Sequence, residues 1–171
     1  MRKRWIAALV AVSSSILAGS FGTADAAEEK SFRAKLTGFQ EVPAISTTGR
    51  GEFRAKLDSS ESSLSYELQY SELQGAPVLF AHVHIGQRGV NGGVMFFLCG
   101  GGGKPVCPAS AATVTGTVTA ADVIGPAGQG IAPGEFAEAL RAMRSGVAYA
   151  NVHTSPFPGG EIRGQIKHED D

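Results

Sequence analysis

A chain of 171 residues with 15 lysines and arginines against 16 aspartates and glutamates has a formal net charge of −1. Beyond the first four positions its basic residues are scattered among at least as many acids, which excludes a duplex nucleic-acid binder, because that function needs a basic patch to neutralise phosphates. The length suits one domain able to bury a working core.

Met1-Arg2-Lys3-Arg4 forms a positive n-region, an apolar run follows from Trp5 to Val12 and resumes at Ile16-Leu17-Ala18, and Ala24-Asp25-Ala26 has the A-x-A form of a cleavage site. This order predicts a signal peptide over residues 1–26 and a single domain over 27–171, its core spanning about 30–167. Ser13-Ser14-Ser15 interrupts the apolar run, which is shorter than the roughly 20 residues a spanning helix needs. No membrane span is therefore expected after cleavage, and a secreted or periplasmic location follows. Cleavage removes Arg2, Lys3, Arg4 and Asp25 and takes the formal charge from −1 to −3.

From Ser31 onward the pattern has period two, the mark of half-buried strands. Phe32, Ala34 and Leu36 alternate with polar residues, as do Phe53, Ala55 and Leu57, and then Leu64, Tyr66, Leu68 and Tyr70. The serine-rich turn at 59–63 predicts a hairpin between the second and third strands. Further strands are predicted at 78–85, 93–99, 113–119, 146–153 and 161–167. A helix is expected from about Pro133 to Arg144, where Phe136, Leu140 and Met143 recur at helical spacing and Gly146 follows. About eight strands and one short connecting helix predict an all-β fold, an antiparallel, Greek-key-like sandwich or barrel. His168-Glu169-Asp170-Asp171 reads as a solvated acidic tail.

The two cysteines, Cys99 and Cys107, bracket a loop containing Gly100 to Gly103. In the oxidising compartment that a signal peptide implies, a disulfide is expected, with two free thiols as the alternative. The glycine run lacks the Lys-Ser/Thr ending of a phosphate loop, and no G-x-S-x-G nucleophile elbow occurs.

Ala81-His82-Val83-His84-Ile85 carries the clearest chemical signal. On a strand, His82 and His84 project from one face. Ala148-Tyr149-Ala150-Asn151-Val152-His153 alternates in the same way, with Tyr149, Asn151 and His153 on one face. Three imidazoles are a known zinc arrangement and also suit copper; the alternative is a set of buried histidines bonded to backbone or carboxylates. The strand after His153 places Glu161 and Arg163 on a common face, where Glu161 is expected either to orient a histidine or to pair with Arg163. Glu41 is a further candidate at the site. A metal held by neutral imidazoles is expected to lose affinity as pH falls through about 6.5.

Three groups of residues resemble successive motifs of the CHRD domain, named after its repeats in chordin. They are Thr37-Gly38-Phe39-Gln40-Glu41-Val42-Pro43; Ala81 to Gly86 with Gly89-Val90-Asn91-Gly92; and Asn151-Val152-His153-Thr154 with Pro158-Gly159-Gly160-Glu161-Ile162-Arg163-Gly164-Gln165. The resemblance implies an extracellular β-domain. Animal members repeat it in an antagonist of bone morphogenetic proteins, while bacterial members are mostly single exported domains. The signalling role does not transfer to a single copy without chordin's cysteine-rich modules, and the Cys99–Cys107 segment departs from the core pattern. A second resemblance, confined to His82-Val83-His84, is to copper,zinc superoxide dismutase; the other ligands of that two-metal site have no counterpart here.

The expected function is a non-enzymatic exported binding module with a copper or zinc site at His82, His84 and His153, surrounded by Glu41, Tyr149, Asn151, Glu161 and Arg163. The alternative is a structural or adhesive envelope module that binds a protein or glycan, and a dismutase-like metalloenzyme is the third reading.

Overall fold

A computed structural model describes residues 30–109 and 111–169. The expected signal peptide, residues 1–26, and the last two residues of the acidic tail lie outside the described residues. In chain order the strands are β1 (Ser31–Thr37), β2 (Arg50–Leu57), β3 (Ser63–Ser71), β4 (Val78–Ile85), β5 (Val94–Cys99), β6 (Ala112–Thr119), β7 (Ala148–Thr154), β8 (Ile162–Gln165) and β9 (Lys167–His168), with the helix α1 (Phe136–Arg144) between β6 and β7. They form one antiparallel sheet in the order β5-β4-β7-β8-β1-β2-β3-β6, with β9 paired to β1, curled into a nearly closed barrel. The connections β3 to β4, β5 to β6 and β6 to β7 cross from one half of the sheet to the other, so that β6 returns beside β3 and β7 beside β4. These are Greek-key crossovers, and the all-β expectation is met.

The alternating apolar residues fill the barrel. Phe32, Leu36, Phe53, Leu64, Leu68, Val83, Phe96, Leu98, Val152 and Ile162 are all buried. α1 adds Phe136, Leu140 and Met143 to the same core. The helix starts three residues later than its periodicity suggests, because Gly134 adopts a left-handed backbone (φ 89°) and the Glu135 carboxylate accepts from the Ala132 N–H at 2.6 Å. Together these make a turn where helix was expected. The predicted strand at 161–167 is likewise divided: β8 pairs with β7, and β9 pairs with β1.

Cys99, at the end of β5, is bonded to Cys107. Closing so short a loop removes chain entropy from the unfolded state worth about 2.5 kcal/mol. Reduction, or the paired change Cys99→Ser and Cys107→Ser, is expected to lower unfolding stability by about that amount, read from urea midpoints with and without reductant.

Register fixes what surrounds the histidines. Across β4 and β7, Phe80 lies opposite His153, His82 opposite Asn151, and His84 opposite Tyr149. β5 sets Phe97 against His82, and β8 sets Arg163 against Asn151. One outer face of the sheet therefore collects Phe97, His82, His84, His153, Tyr149, Asn151 and Arg163.

Candidate metal centre

An outward-facing row on a barrel would ordinarily be wet, yet His82, His84 and His153 are only 4, 8 and 6 % exposed. Loops lie over them. The 86–93 loop is tied to the 38–49 loop by Asn91, whose Nδ2 donates to the Val42 carbonyl at 3.0 Å. Gly92 follows β4 so closely that a Cβ there would sit 1.6 Å from the Ile85 oxygen, so no other residue fits. One nitrogen from each imidazole lies within 4.8 Å of the other two, and the three histidines are thus close enough to hold a metal ion.

The ring nitrogens divide into two kinds. His84 Nδ1 lies 2.9 Å from the Gly92 carbonyl oxygen, and His153 Nδ1 lies 2.9 Å from that of Pro158. A carbonyl can only accept, so each Nδ1 carries the proton and each Nε2 keeps its lone pair. Among the described residues, His84 Nε2, His153 Nε2 and His82 Nδ1 are all buried with no hydrogen-bond partner. Such orphans are rare, and each costs about 1–3 kcal/mol if nothing meets it. Imidazoles oriented through the remote nitrogen by a carbonyl are the usual arrangement around a bound metal.

Electrostatics keep the three rings neutral. Burial lowers the His82 pKa to about 2, helped by its neighbours His84 and His153. Burial also lowers His84 to about 4, against the raising effect of the bond to Gly92. His153 is lowered for the same reason, opposed by its bond to Pro158. Neutral imidazole is the metal-binding form.

Polar partners hold this arrangement from one side. The Tyr149 ring stacks on His84 at 4.5 Å and 7°, its hydroxyl accepts from the Gly92 N–H at 3.2 Å, and the Arg163 guanidinium sits 3.4 Å from its ring centroid. Arg163 donates to Asn91 Oδ1 and to the carbonyls of Gln87 and Val90, which pins the loop bearing the Gly92 carbonyl. Asn151 donates to Glu41 Oε1 at 2.5 Å and to the Ile162 carbonyl at 2.9 Å. Burial raises the Glu41 carboxyl to about 7, although the Asn151 bond and the Arg163 charge both act to lower it.

Glu161 departs from expectation. Its Oε1 accepts from Thr47 Oγ1 at 2.7 Å and from the Gln74 N–H at 2.6 Å, and its Oε2 accepts from Thr154 Oγ1 at 2.7 Å. It neither orients an imidazole nor pairs with Arg163. Gly160, at φ 127°, bends the chain just before β8, so Glu161 precedes the regular ladder and turns toward Thr154, on the barrel-facing side of β7. Strand alternation did not reveal two aromatic neighbours. Phe80 stacks on His82 at 5.3 Å and meets His153 at 4.6 Å, and Phe97 presents an edge contact to His82 at 5.2 Å. Phe80 was within reach of the sequence, since it stands two residues before His82 and shares its face.

The family description "CHRD domain" matches residues 32–166. No curated protein and no solved structure matches the chain. The family match runs from β1 to the residue after β8, leaving out only β9 among the strands, and includes every side chain of the histidine cluster; the chain belongs to the CHRD domain family.

Proposed function

We propose that this protein is an exported, non-enzymatic binding module in which His82, His84 and His153 hold one copper or zinc ion. The observation that carries the reading is the convergence of three buried imidazoles, each with one ring nitrogen that has no hydrogen-bond partner among the described residues. Neutral imidazole nitrogen suits both metals. Export is supported by the n-region, apolar run and A-x-A site of residues 1–26 and by the Cys99–Cys107 disulfide. A binding role is favoured over catalysis because the ligand atoms are shut from solvent, and Glu41, a buried carboxyl nearby, is engaged by Asn151.

A second reading takes the histidines as structural groups of an envelope module that binds a protein or glycan. In its favour, the His84 and His153 bonds to Gly92 and Pro158 tie two loops to the sheet. Elemental analysis after incubation with zinc or copper and desalting separates the two. One metal per wild-type chain and none in the variant His82→Ala, His84→Ala, His153→Ala is the expected result. Negligible metal in both would favour the structural module. In melting curves a ligand change removes only the metal-dependent increment, whereas a structural change lowers the melting temperature with or without chelator.

A further inference from the structure

We infer that the ion this site selects is monovalent copper, Cu(I), bound by His82 Nδ1, His84 Nε2 and His153 Nε2 as its complete set of protein ligands. The inference rests on the metal-binding reading above and adds the identity and oxidation state of the ion.

Ligand number is the first argument. Among the described residues the cluster holds three donors and no fourth histidine, cysteine or carboxylate. Zinc takes four ligands, and a three-histidine zinc site completes its shell with water. Cu(II) takes a tetragonal set of at least four. A Cu(I) ion is satisfied by three nitrogens in a plane: like Zn(II) it is d10 and has no ligand-field preference, but its single charge draws a fourth, water ligand far less strongly.

The walls leave little support for a fourth, water ligand. Phe80 packs on His82 and His153, and Phe97 closes the far side of His82. Tyr149 offers the His84 ring its face, with its hydroxyl committed to Gly92. Phe97 is itself held in place by the disulfide-closed loop, since a Cβ on Gly101 would lie 2.4 Å from its ring. A metal-bound water in this position would meet aromatic carbon rather than a hydrogen-bond acceptor. A surface concavity of about 760 Å³ exists elsewhere, lined by Arg33, Lys35, Arg88 and Lys167 among others, and contains none of the three imidazoles.

Charge points the same way. All three ligands are neutral, so an entering ion keeps its whole charge in a buried place, where uncompensated charge is costly. The nearby cation is Arg163, 3.4 Å from the Tyr149 centroid, with His84 4.5 Å from that same ring; the guanidinium is thus no more than about 8 Å from the imidazole. An ion beyond that ring would lie about 10 Å from the guanidinium, where each extra unit of metal charge weakens binding by roughly tenfold at an effective dielectric near 20, an effect that the Glu41 carboxyl, which also acts on Arg163, reduces where it is ionised. A divalent ion carries that second unit and a monovalent ion does not.

The test is an anaerobic titration of the protein with Cu(I) against bicinchoninate, with parallel titrations of Zn(II) and of aerobic Cu(II) against chelators of known affinity. The expected result is one Cu(I) per chain, bound about tenfold more tightly than either divalent ion, with an X-ray absorption edge of three-coordinate Cu(I) and nitrogen-only scattering. His82→Ala removes a ligand whose Nδ1 has no hydrogen bond to lose, so the variant remains folded by circular dichroism and binds Cu(I) at least about tenfold more weakly. If one Zn(II) or Cu(II) per chain binds as tightly as Cu(I), this inference is overturned and the metal site stands. If none of the three ions binds, the metal site falls and the inference falls with it.

Discussion

Acidifying the metal-free protein from pH 7 to pH 4.5 is expected to lower its unfolding free energy by about 3 kcal/mol. The sign follows from where each proton binds. His82 and His84 titrate near 6.5 in the unfolded chain, but burial holds them at about 2 and about 4 in the fold. Above pH 6.5 both states are neutral at these rings and nothing is lost. Below it the unfolded chain takes up protons that the fold refuses, and each pH unit costs about 1.4 kcal/mol per imidazole. His153, shifted in the same direction, adds to the loss. Glu41 acts oppositely. Its carboxyl is raised from 4.5 to about 7 in the fold, so its burial destabilises the protein as pH rises through this window and relaxes as pH falls, offsetting about one imidazole. Urea unfolding at several pH values measures the net slope. His82→Ala should flatten it and Glu41→Gln should steepen it, and a wild-type curve flat between pH 7 and 4.5 would contradict the burial of neutral imidazoles. The same shifts correct the pH expectation drawn from sequence. Protons compete for a metal at the pKa of the folded rings, so a bound ion should persist well below pH 6.5, where free imidazole would already be charged.

The strand faces were readable because alternation is a local property. His82 and His84 two residues apart, and Tyr149, Asn151 and His153 in a second alternating run, fall on common faces whichever strands they join. That β7 lies beside β4 was not readable, because a Greek-key crossover makes the pairing and spacing does not encode it. The family motifs supplied the missing link, since they keep the two segments in step. The groups that orient the rings were hidden for another reason: they are backbone carbonyls, of Gly92 and Pro158, and any residue type carries one. Glu41 reaches Asn151 across 110 residues of chain, so its membership of the cluster depended on where its loop folds. Glu161 was misplaced by extending a strand one residue too far. The glycine before it marks the break, and a glycine pair followed by a predicted strand is a signal for delaying its first residue.

Glu161→Ala should be among the most destabilising single changes in the protein, at about 3–5 kcal/mol, while leaving metal stoichiometry at the wild-type value. Glu161 is fully buried and joins three segments distant in sequence: the loop before β2 through Thr47, the segment between β3 and β4 through Gln74, and the end of β7 through Thr154. Gly49 lies against the same carboxylate, where a Cβ would come within 3.0 Å of Oε1. Truncation would leave two hydroxyls and a backbone N–H facing an empty space, and the cost of a broken buried network lies mainly in the partners left unsatisfied. Glu161→Gln keeps one acceptor oxygen and should lose less than the alanine variant. Chemical denaturation with elemental analysis on the same preparations separates the two possible roles of this residue. A large stability loss with one metal still bound per folded chain fits a carboxylate that closes the end of the barrel. A loss of metal at unchanged stability would instead place Glu161 beside the imidazoles and contradict its bonds to Thr47, Gln74 and Thr154.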